Sequence, residues 1–501
     1  MKIVTAQKMR EVDKFCIEEI GIPSLVLMEN AALRVLKHIH VYNSFTIVCG
    51  SGNNGGDGLA LSRHLSVLEK SVEIFIVGEK EGLSRDCKVN YEILVNSGVR
   101  VKFINNIEEL DKLKEAVKES EIVIDALFGT GLSREIKGIH REIISCINEL
   151  SSYTVAIDVP SGLNSDTGEV LGCCIKANKT ISFQFYKRGF LKYGSDKYTG
   201  EIIIENIGIP SFVENKLCIN DYILDKSAVR KHIPIREKHL HKGDFGRVAV
   251  VAGSTGFTGA AFISTQAAVK SGAGLVTLCC SENIQDILSI KLTEAMTVSF
   301  KNKDRLNEIL GKSDAIAVGP GMGDNESTLK IVTDIIRYTS CPIVIDADGI
   351  NALKNNLNIL KKKNNKIVLT PHPGEMSRIT GMSIENIEKN RIEIAKLFAR
   401  EYDIILLLKG YNTVITDGKT VIINTTGNSS MASGGMGDAL TGIIASFISQ
   451  GFDPFKAAYI GAYVHGYCGD MLSKDRFCVN ALSLIDKLPF GIKELQVEKK
   501  E

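Results

Sequence analysis

The sequence has almost no excess charge of either sign, with 60 lysines and arginines against 59 aspartates and glutamates in 501 residues. This balance argues against a general binder of nucleic acid or of anionic membranes, whose affinity comes mainly from excess basic charge. No stretch is long and apolar enough to span a bilayer, and charges recur too often in the opening MKIVTAQKMREVDKF for a signal peptide. We therefore expect a cytoplasmic protein with neither a nucleic acid nor a membrane as its partner.

Prolines are few, and no two cysteines have the CxxC spacing. Only 10 prolines accompany 45 glycines, which favours tight backbone turns next to ligands over disordered linkers. The twelve cysteines are scattered, and several lie in apolar runs, as Cys49 does in FTIVC, so we interpret them as reduced, buried thiols. His38, His40 and His64 have no cysteine or carboxylate set at ligand spacing, so we assign them no metal.

Short apolar runs alternate with polar or helical stretches, which predicts an α/β fold with parallel sheets covered by helices on both faces. The runs are 45–49, 72–77, 100–104, 121–125 and 153–158, and then 247–253, 274–279, 315–319, 342–348, 366–370 and 403–410. A chain of 501 residues is too long for one core. The segment 209–246 is weakly patterned, so we place the boundary near residue 216 and expect two tandem domains, 1–215 and 222–493.

Four local signals add detail to this outline. Thr5 is a plausible N-cap for a first helix, and a second helix should contain residues 27–38. Asp417-Gly418 between two apolar runs predicts a hairpin. The last long helix should begin near Gly437 and run through Ile448.

The stretch GSGNNGGDG (50–58) follows a predicted strand and precedes a predicted helix. Its glycines let backbone N–H groups approach a phosphate. Asn53 and Asn54 add amides, and Asp57 adds an acceptor suited to ribose hydroxyls or to a helix N-terminus. Glycine-rich turns also occur for purely structural reasons, so this motif alone does not establish a ligand-binding site.

Two further strand ends carry acids. IDALFGTGLSRE (124–135) places Asp125 at a strand end, and IDVPSGLNSDTG (157–168) places Asp158 at another, followed by Ser161. Each carboxylate alone could be a helix cap. Because ligands of parallel sheets bind beyond the carboxyl ends of strands, we favour one shared pocket.

Together with TISFQFYKRG (180–189), these motifs resemble those of the YjeF N-terminal family, the NAD(P)H-hydrate epimerases, over about residues 1–212. The resemblance implies a Rossmann-like three-layer domain and a K⁺ ion on Asn54, Asp125 and Ser161. Asp158 would be the acid/base or the stabilising carboxylate, since loss of the C6 hydroxyl leaves a positively charged ring. The implied substrate-binding residues are Asn53, Asn54, Gly55, Gly56, Asp57 and Asp158, with a phosphate cradle of Gly129, Thr130, Gly131, Leu132, Ser133, Arg134 and Glu135.

In the second half, NSSMASGGMGDALTGI (428–443) places a glycine-rich turn at a helix start, which is an anion hole suited to phosphates. Asp438 faces that hole and could accept the proton of an attacking hydroxyl, or it could be only the first-turn acid of the helix. His372 follows the run 366–370, and we favour ligand contact over a simple loop histidine. Glu375 could serve Mg²⁺ or cap the following helix.

The GGMGD turn resembles that of the ribokinase-like superfamily, and six further motifs over about residues 225–490 resemble the NAD(P)H-hydrate dehydratases. These motifs are HKGDFG (241–246), AGSTGFTGAA (252–261), VGPGMG (318–323), DADGINAL (346–353), TPHPGEM (370–376) and KGYNTVI (409–415). The resemblance implies a ribokinase-like three-layer domain in which Ala260, Gly321, His372 and Asp438 contact the hydrated dinucleotide. ADP or ATP, with Mg²⁺ bridging its phosphates, would contact Lys409, Gly410, Tyr411, Asn412, Thr413, Asn428, Ser429, Ser430, Met431, Ala432, Ser433, Gly434, Gly435, Met436 and Gly437.

We therefore expect a bifunctional enzyme that interconverts the epimers of hydrated NADH and NADPH (NADHX and NADPHX) and dehydrates the S form. The sequence does not decide between ADP and ATP or between the two hydrates. The family resemblance implies a homo-oligomer. The alternatives are a small-molecule kinase with an accessory nucleotide-binding domain, a first half that only senses nucleotides or binds a protein, and, least favoured, a dehydrogenase.

Overall fold

In the computed structural model, which describes residues 1–496, the chain folds as two units, residues 1–219 and residues 220 onward. Each unit has a mainly parallel sheet with helices, so the predicted α/β class is confirmed. The position near residue 216 at which the sequence suggests a boundary lies in the last helix of the first unit. No helix among residues 1–496 has the length and apolar character needed to cross a membrane.

The first unit is built on a seven-stranded parallel sheet in the order β4-β3-β2-β5-β6-β7-β9, with β1 and β8 paired separately. The strands are β1 (Ile3–Val4), β2 (Ser44–Cys49), β3 (Ser71–Val77), β4 (Val101–Ile104), β5 (Ile122–Ala126), β6 (Thr154–Ile157), β7 (Lys179–Phe183), β8 (Tyr186–Lys187) and β9 (Glu201–Glu205). The helices are α1 (Ala6–Phe15), α2 (Ser24–Ile39), α3 (Asn53–Val67), α4 (Arg85–Asn96), α5 (Leu110–Glu119), α6 (Ile139–Leu150), α7 (Asp196–Thr199) and α8 (Phe212–Lys216).

The apolar runs of the sequence become the buried centre of this sheet. All residues of β5 and β6 are buried, as the inner strands of a parallel sheet must be when helices cover both faces. At the start of the chain, the Thr5 hydroxyl accepts a hydrogen bond from Lys8 N at 3.2 Å, so the predicted N-cap is confirmed. Met9 and Val12 bury one face of α1 against the core.

The second unit has a ten-stranded sheet in the order β10-β19-β18-β17-β16-β15-β14-β11-β12-β13, parallel except that β18 runs antiparallel to both neighbours. The strands are β10 (Asp221–Ile223), β11 (Arg247–Val251), β12 (Leu275–Cys280), β13 (Met296–Ser299), β14 (Ala315–Val318), β15 (Ile343–Ile345), β16 (Ile367–Leu369), β17 (Ile405–Leu408), β18 (Thr413–Thr416) and β19 (Val421–Asn424). The helices are α9 (Lys226–Arg230), α10 (Thr258–Lys270), α11 (Glu282–Lys291), α12 (Lys303–Lys312), α13 (Glu326–Tyr338), α14 (Asp348–Ala352), α15 (Pro373–Thr380), α16 (Ile384–Lys389), α17 (Arg391–Tyr402), α18 (Met436–Ser449), α19 (Pro454–Ser473) and α20 (Ala481–Leu495).

The hairpin prediction for this unit is confirmed, but the prediction of the last long helix is wrong. Asp417 Oδ1 accepts hydrogen bonds from Lys419 N at 2.9 Å and Thr420 N at 2.7 Å, which closes the turn between β18 and β19. Helix α18 begins where expected, yet α19 and α20 follow it and are longer. Pro489 lies inside α20. Because proline in a helix interior removes a hydrogen bond, its presence argues against a helix when only the sequence is read.

Candidate active sites

A cavity of about 760 Å³ opens in the first unit beyond the carboxyl ends of β2, β5 and β6. This is where a parallel sheet presents the loops that bind ligands. The cavity brings together the predicted residues Asn53, Asn54, Asp57, Gly129, Thr130, Gly131, Leu132, Ser133, Arg134 and Asp158.

Three predicted substrate-binding residues do not line this cavity. Gly55 and Gly56 are buried in the first turn of α3, where a side chain at Gly55 would collide with the Gly50 carbonyl and a Cβ at Gly56 would come within 2.6 Å of Met28 Cε. Their role in the structure is close packing. Glu135 lies beyond the cradle and pairs with Lys137 at 3.0 Å.

The first unit holds a buried lysine against Asp158. Lys187 Nζ lies 2.9 Å from Asp158 Oδ1 and also donates to the carbonyls of Phe183 (2.9 Å) and Phe185 (3.3 Å). Asp158 has φ +63°, a conformation that an L-residue adopts only at a cost. Ser182 Oγ donates to the same carboxylate at 3.1 Å. The strained backbone and the ion pair together aim this carboxylate into the cavity.

Two more carboxyls face the same space. Burial raises the pKa of Asp13 to about 6, with Lys187 opposing the rise and Asp158 adding to it. Burial, followed by repulsion from Asp158 and Asp13, raises the pKa of Asp57 well above its usual range. Sequence reasoning missed Asp13 and Lys187: the lysine stands inside a recognised motif, but Asp13 looks like any acid on an amphipathic helix.

The predicted K⁺ ligands lie under the loop that follows β5. Asp125 is fully buried; its Oδ1 accepts from Ser161 Oγ at 2.6 Å and its Oδ2 accepts from Ser161 N at 2.7 Å. Burial raises the pKa of Asp125 to about 6 although Ser161 opposes the rise, and no cationic side chain among residues 1–496 pairs with this carboxyl. Asn54 Nδ2 is buried without a partner in the described part of the chain, and Asn54 packs against Gly129. A buried carboxyl without a cationic partner in the described chain, hydrogen-bonded to the Ser161 hydroxyl, suits a hard monovalent cation. The unpartnered Nδ2 of Asn54 is a donor, so only the Oδ1 of this amide could be a ligand of the ion.

In the second unit, Asp438 lies in the first turn of α18, after Gly435, whose φ is +88°. Burial raises the pKa of Asp438 to about 6; Asp346 adds to the rise and Lys409 opposes it. A half-buried carboxyl at a helix N-terminus, with a pKa near neutrality, can accept a proton at physiological pH.

Lys409 lies beneath this turn and does not extend into solvent. Its Nζ is 2.7 Å from Asp346 Oδ1 and 3.8 Å from Glu375 Oε2, and a Cβ on Gly437 would lie 3.2 Å from it. Burial would lower the pKa of Lys409, but Asp346 and Glu375 outweigh burial and raise it. Thr441 Oγ1 donates to the other oxygen of Asp346 at 2.7 Å, so Asp346 ties the lysine to α18. Asp346 is a site residue that sequence reasoning left without a role.

His372 and Glu375 form the N-terminal cap of α15. Glu375 Oε2 accepts from His372 N at 2.8 Å, and His372 Nδ1 accepts from Gly374 N at 3.0 Å. Glu375 therefore has the capping role, one of the two that its sequence position allowed. Burial lowers the pKa of His372, and Lys409 lowers it further. Since Nδ1 accepts, the neutral ring carries its proton on Nε2.

The remaining predicted residues of the second unit lie in three places. Ala260 and Gly321 touch: a Cβ on Gly321, whose φ is +62°, would lie 2.9 Å from Ala260 Cβ. The turn from Asn428 onward is tied to α19, because Asn428 Nδ2 donates to Asp470 Oδ1 at 2.7 Å and Gly427 N donates to Asp470 Oδ2 at 2.9 Å. The loop from Lys409 to Thr413 leads into β18.

Comparison with known proteins shows the family to which this chain belongs. A protein of Moorella thermoacetica named bifunctional NAD(P)H-hydrate repair enzyme Nnr is 39% identical, and the match covers 99% of this chain and 98% of that one. This chain belongs to the family of bifunctional NAD(P)H-hydrate repair enzymes. A protein of Thermofilum pendens with the same name is 34% identical over 99% of this chain and 97% of its own.

The two halves match separate family models. Residues 24–189 match the model described as YjeF-related protein N-terminus, and residues 248–490 match the model described as NAD(P)H-hydrate dehydratase. A structure of the ADP/ATP-dependent NAD(P)H-hydrate dehydratase of Bacillus subtilis, co-crystallised with ATP/Mg²⁺, is 31% identical with a TM-score of 0.50; the match covers 54% of this chain and 98% of that one. A ribokinase-like protein of Enterococcus faecalis matches with a TM-score of 0.51 at 28% identity, covering 55% of this chain and 96% of its own. The predicted ribokinase-like fold is confirmed.

Proposed function

We propose that this protein repairs hydrated nicotinamide nucleotides through two activities. The first unit interconverts the R and S epimers of NADHX and NADPHX, and the second unit dehydrates the S epimer while ADP or ATP is cleaved to AMP or ADP and phosphate. The observation that carries this proposal is the match to bifunctional repair enzymes over 99% of the chain. The geometry of both sites supports it.

In the first unit, the loop from Gly129 to Arg134 offers backbone N–H groups to the substrate's phosphates, and Asn53 and Asp57 hold its polar groups. Loss of the C6 hydroxyl gives a positively charged nicotinamide ring. Asp158, held by Lys187, would stabilise that ring with its negative charge. The carboxylate is oriented before substrate arrives, so little reorganisation is needed during the reaction.

Asn54, Asp125 and Ser161 would hold the K⁺ ion of the first unit. When bound, the ion would add positive charge to this part of the cavity and would neutralise the buried carboxylate. Asp125 in turn fixes Ser161 through two hydrogen bonds, so these two ligands are held together by the chain's own contacts.

In the second unit, Asp438 accepts the proton of the C6 hydroxyl, and that oxygen takes the terminal phosphoryl group of ADP or ATP. Phosphate then leaves as the ring nitrogen donates its electron pair, which gives a positively charged ring. Loss of a proton from C5 to solvent then forms the C5=C6 double bond and restores NAD(P)H. The backbone N–H groups at the start of α18 hold the nucleotide phosphates. His372, Ala260 and Gly321 would contact the hydrated dinucleotide.

Mg²⁺ fits this site as an ion carried by the nucleotide. Residues 1–496 contain no group of three or more His, Cys, Asp or Glu side chains placed to hold a metal, so the phosphates would supply most of its ligands. When bound, Mg²⁺ neutralises charge on the phosphoryl group. The Bacillus subtilis dehydratase was co-crystallised with ATP/Mg²⁺, which supports this assignment.

A 340 nm absorbance assay on a mixture of both NADHX epimers, with Mg²⁺ and either ADP or ATP, tests the proposal. We expect full recovery with the wild-type protein, none with Asp438→Ala, and fast recovery of one epimer only with Asp158→Ala. If the wild type restores no absorbance with either nucleotide, the dehydratase assignment is wrong. A stable phosphorylated product without NADH would then indicate a kinase.

We further propose a cytoplasmic location and a homo-oligomeric state. All twelve cysteines lie in the described part of the chain and are unpaired, as is usual for proteins of reducing compartments. The homo-oligomer rests on the family resemblance. Cell fractionation, and light scattering on the purified protein, test the two statements.

A further inference from the structure

We propose that Asp13 is a catalytic carboxyl of the first unit, which gives a proton to the departing C6 hydroxyl and takes one back from the incoming water. This inference rests on the epimerase activity proposed above. It assigns to the N-terminal helix a chemical role beyond packing.

The position of Asp13 is fixed by the pairing of the chain's first strand with the strand of Lys187. In β1 and β8, Ile3 pairs with Tyr186 and Val4 pairs with Lys187. Ala6 N, at the start of α1, donates to Asp166 Oδ1 at 2.6 Å. Helix α1 therefore starts from a fixed point beside the lysine.

The inner face of α1 turns Asp13 toward the cavity, which Asp13 lines together with Asp57, Asp158 and Lys187. Glu11, on the same helix, points outward and pairs with Lys8. Asp13 therefore faces the cavity, whereas Glu11 lies on the outer side of the same helix.

The hydrogen bonds of Lys187 leave Asp13 without a fixed partner. An ammonium group has three N–H donors, and Lys187 directs its donors to Asp158 Oδ1 and to the carbonyls of Phe183 and Phe185. Within residues 1–496, the Asp13 carboxyl has neither a hydrogen-bond nor an ion-pair partner. Polar groups that are largely removed from water normally have one, so a carboxyl left open on a cavity wall is available to a ligand.

The surrounding charges suit proton exchange at this position. Asp13, Asp57 and Asp158 line the same cavity as one buried ammonium, that of Lys187, so three ionised carboxylates would leave a net charge of about −2 among these four groups. The other titratable groups on the cavity wall are Arg10, Asp86, Arg134 and His140. The pKa of Asp13, raised to about 6 by burial, lies close enough to neutrality for both protonation states to be populated.

The chemistry of epimerisation requires a group that both donates and accepts a proton. When the C6–O bond breaks, the Asp13 carboxyl gives its proton to the leaving oxygen, which departs as water, and the electron pair of the ring nitrogen forms the double bond to C6. Water then adds to the other face of C6, and its surplus proton returns to the Asp13 carboxylate. The proton count is restored in each cycle, and no oxidant or reductant is needed.

The test uses the full chain with Asp438→Asn, which silences dehydration, and follows interconversion of purified R- and S-NADHX by chromatography after subtracting the spontaneous rate. Asp13→Asn keeps the shape of the side chain and removes the proton. We expect kcat to fall by about 100-fold or more with KM within about threefold, and the pH dependence near 6 to disappear. Asp13→Glu should recover part of the activity. Glu11→Gln, on the outer face of the same helix, is the matched control and should match the parent.

Folding is checked in chains that keep Asp438, where Asp13→Asn should dehydrate S-NADHX at the wild-type rate. If Asp13→Asn epimerises within about threefold of the parent, or keeps the pH dependence near 6, the proton is carried by another carboxyl such as Asp57 and the proposal is wrong. If the parent itself does not interconvert the epimers, the epimerase assignment fails first. The two failures are therefore distinguishable.

Discussion

Lys187 Nζ lies 2.9 Å from Asp158 Oδ1, and the lysine side chain is only 1% exposed. An ion pair this far from water stabilises a protein only while both members are present, because removing one leaves an uncompensated buried charge. The pair also joins two motifs of the sequence, since Asp158 follows β6 and Lys187 forms part of β8.

Replacing the lysine should therefore damage both stability and epimerisation. We predict that Lys187→Met lowers the free energy of unfolding of the first unit by about 3–5 kcal/mol and abolishes epimerase activity, while dehydration of S-NADHX continues. Lys102→Met is the control, because Lys102 pairs with Glu73 at the surface and should change stability by no more than about 1 kcal/mol. Denaturant unfolding and the two activity assays check the prediction. An active, fully stable Lys187→Met protein would show that the pair is dispensable.

The K⁺ assignment predicts an ion-specific effect on the first unit. K⁺ should raise both the thermal midpoint and the epimerase rate compared with an equal concentration of tetramethylammonium, because Asp125 has no cationic partner in the described chain. Asp125→Asn should remove the response to K⁺, and Ser161→Ala should weaken it. Asp111→Asn is the control, since that carboxylate is exposed and paired with Lys114. Equal responses of all four proteins to K⁺ would contradict the assignment.

The second unit should show an acid limb in its pH–rate profile. Asp438 acts as a base only when ionised, and burial together with Asp346 raises its pKa to about 6. The kcat/KM for S-NADHX should therefore be constant above neutrality and fall about tenfold per pH unit below about 6. An ordinary aspartate would keep the rate constant to about pH 4. Profiles measured with saturating nucleotide, with stability monitored at each pH, separate loss of the base from acid unfolding.

The strands and the loops of the first cavity can be predicted from the sequence, whereas contacts between distant elements cannot, for physical reasons. The central strands are apolar runs buried on both faces, so their positions were predictable within one to three residues. The loops after them had to meet at one edge of the sheet, which brought Asn53, Gly129 and Asp158 to one cavity. Asp13 and Lys187 were not predictable as a pair, because only the long-range pairing of β1 with β8 brings their elements together.

In the second unit, the sequence located the glycine-rich turn that we propose to bind phosphates, but not the residues that support this turn. The chain of contacts from Lys409 through Asp346 to Thr441 links β17, β15 and α18. No local sequence pattern predicts the contacts between these three residues. The family resemblance implies that Lys409 contacts the nucleotide, and in the structure the Lys409 ammonium lies under the turn that would hold the phosphates. Side-chain direction in a loop depends on such distant partners, which a motif does not record.

The shape of that turn gives the last prediction. Gly435, with φ +88°, immediately precedes α18, and a Cβ there would lie 2.6 Å from Ile263 Cδ1, the movable end of a side chain, and 3.2 Å from Ala481 Cβ, which has no rotation to relieve the contact. Gly435→Ala should therefore shift the first N–H groups of the helix and raise the KM for ADP or ATP by roughly three- to tenfold, with a smaller effect on the KM for S-NADHX. Gly451 provides a matched control, because its φ is +87° but a Cβ there meets nothing within 4 Å. Gly451→Ala shares the backbone strain of about 1 kcal/mol without touching the phosphate site, so its nucleotide KM should stay at the wild-type value. Equal increases in KM for the two variants would mean that general strain, and not the shape of the turn, governs nucleotide binding.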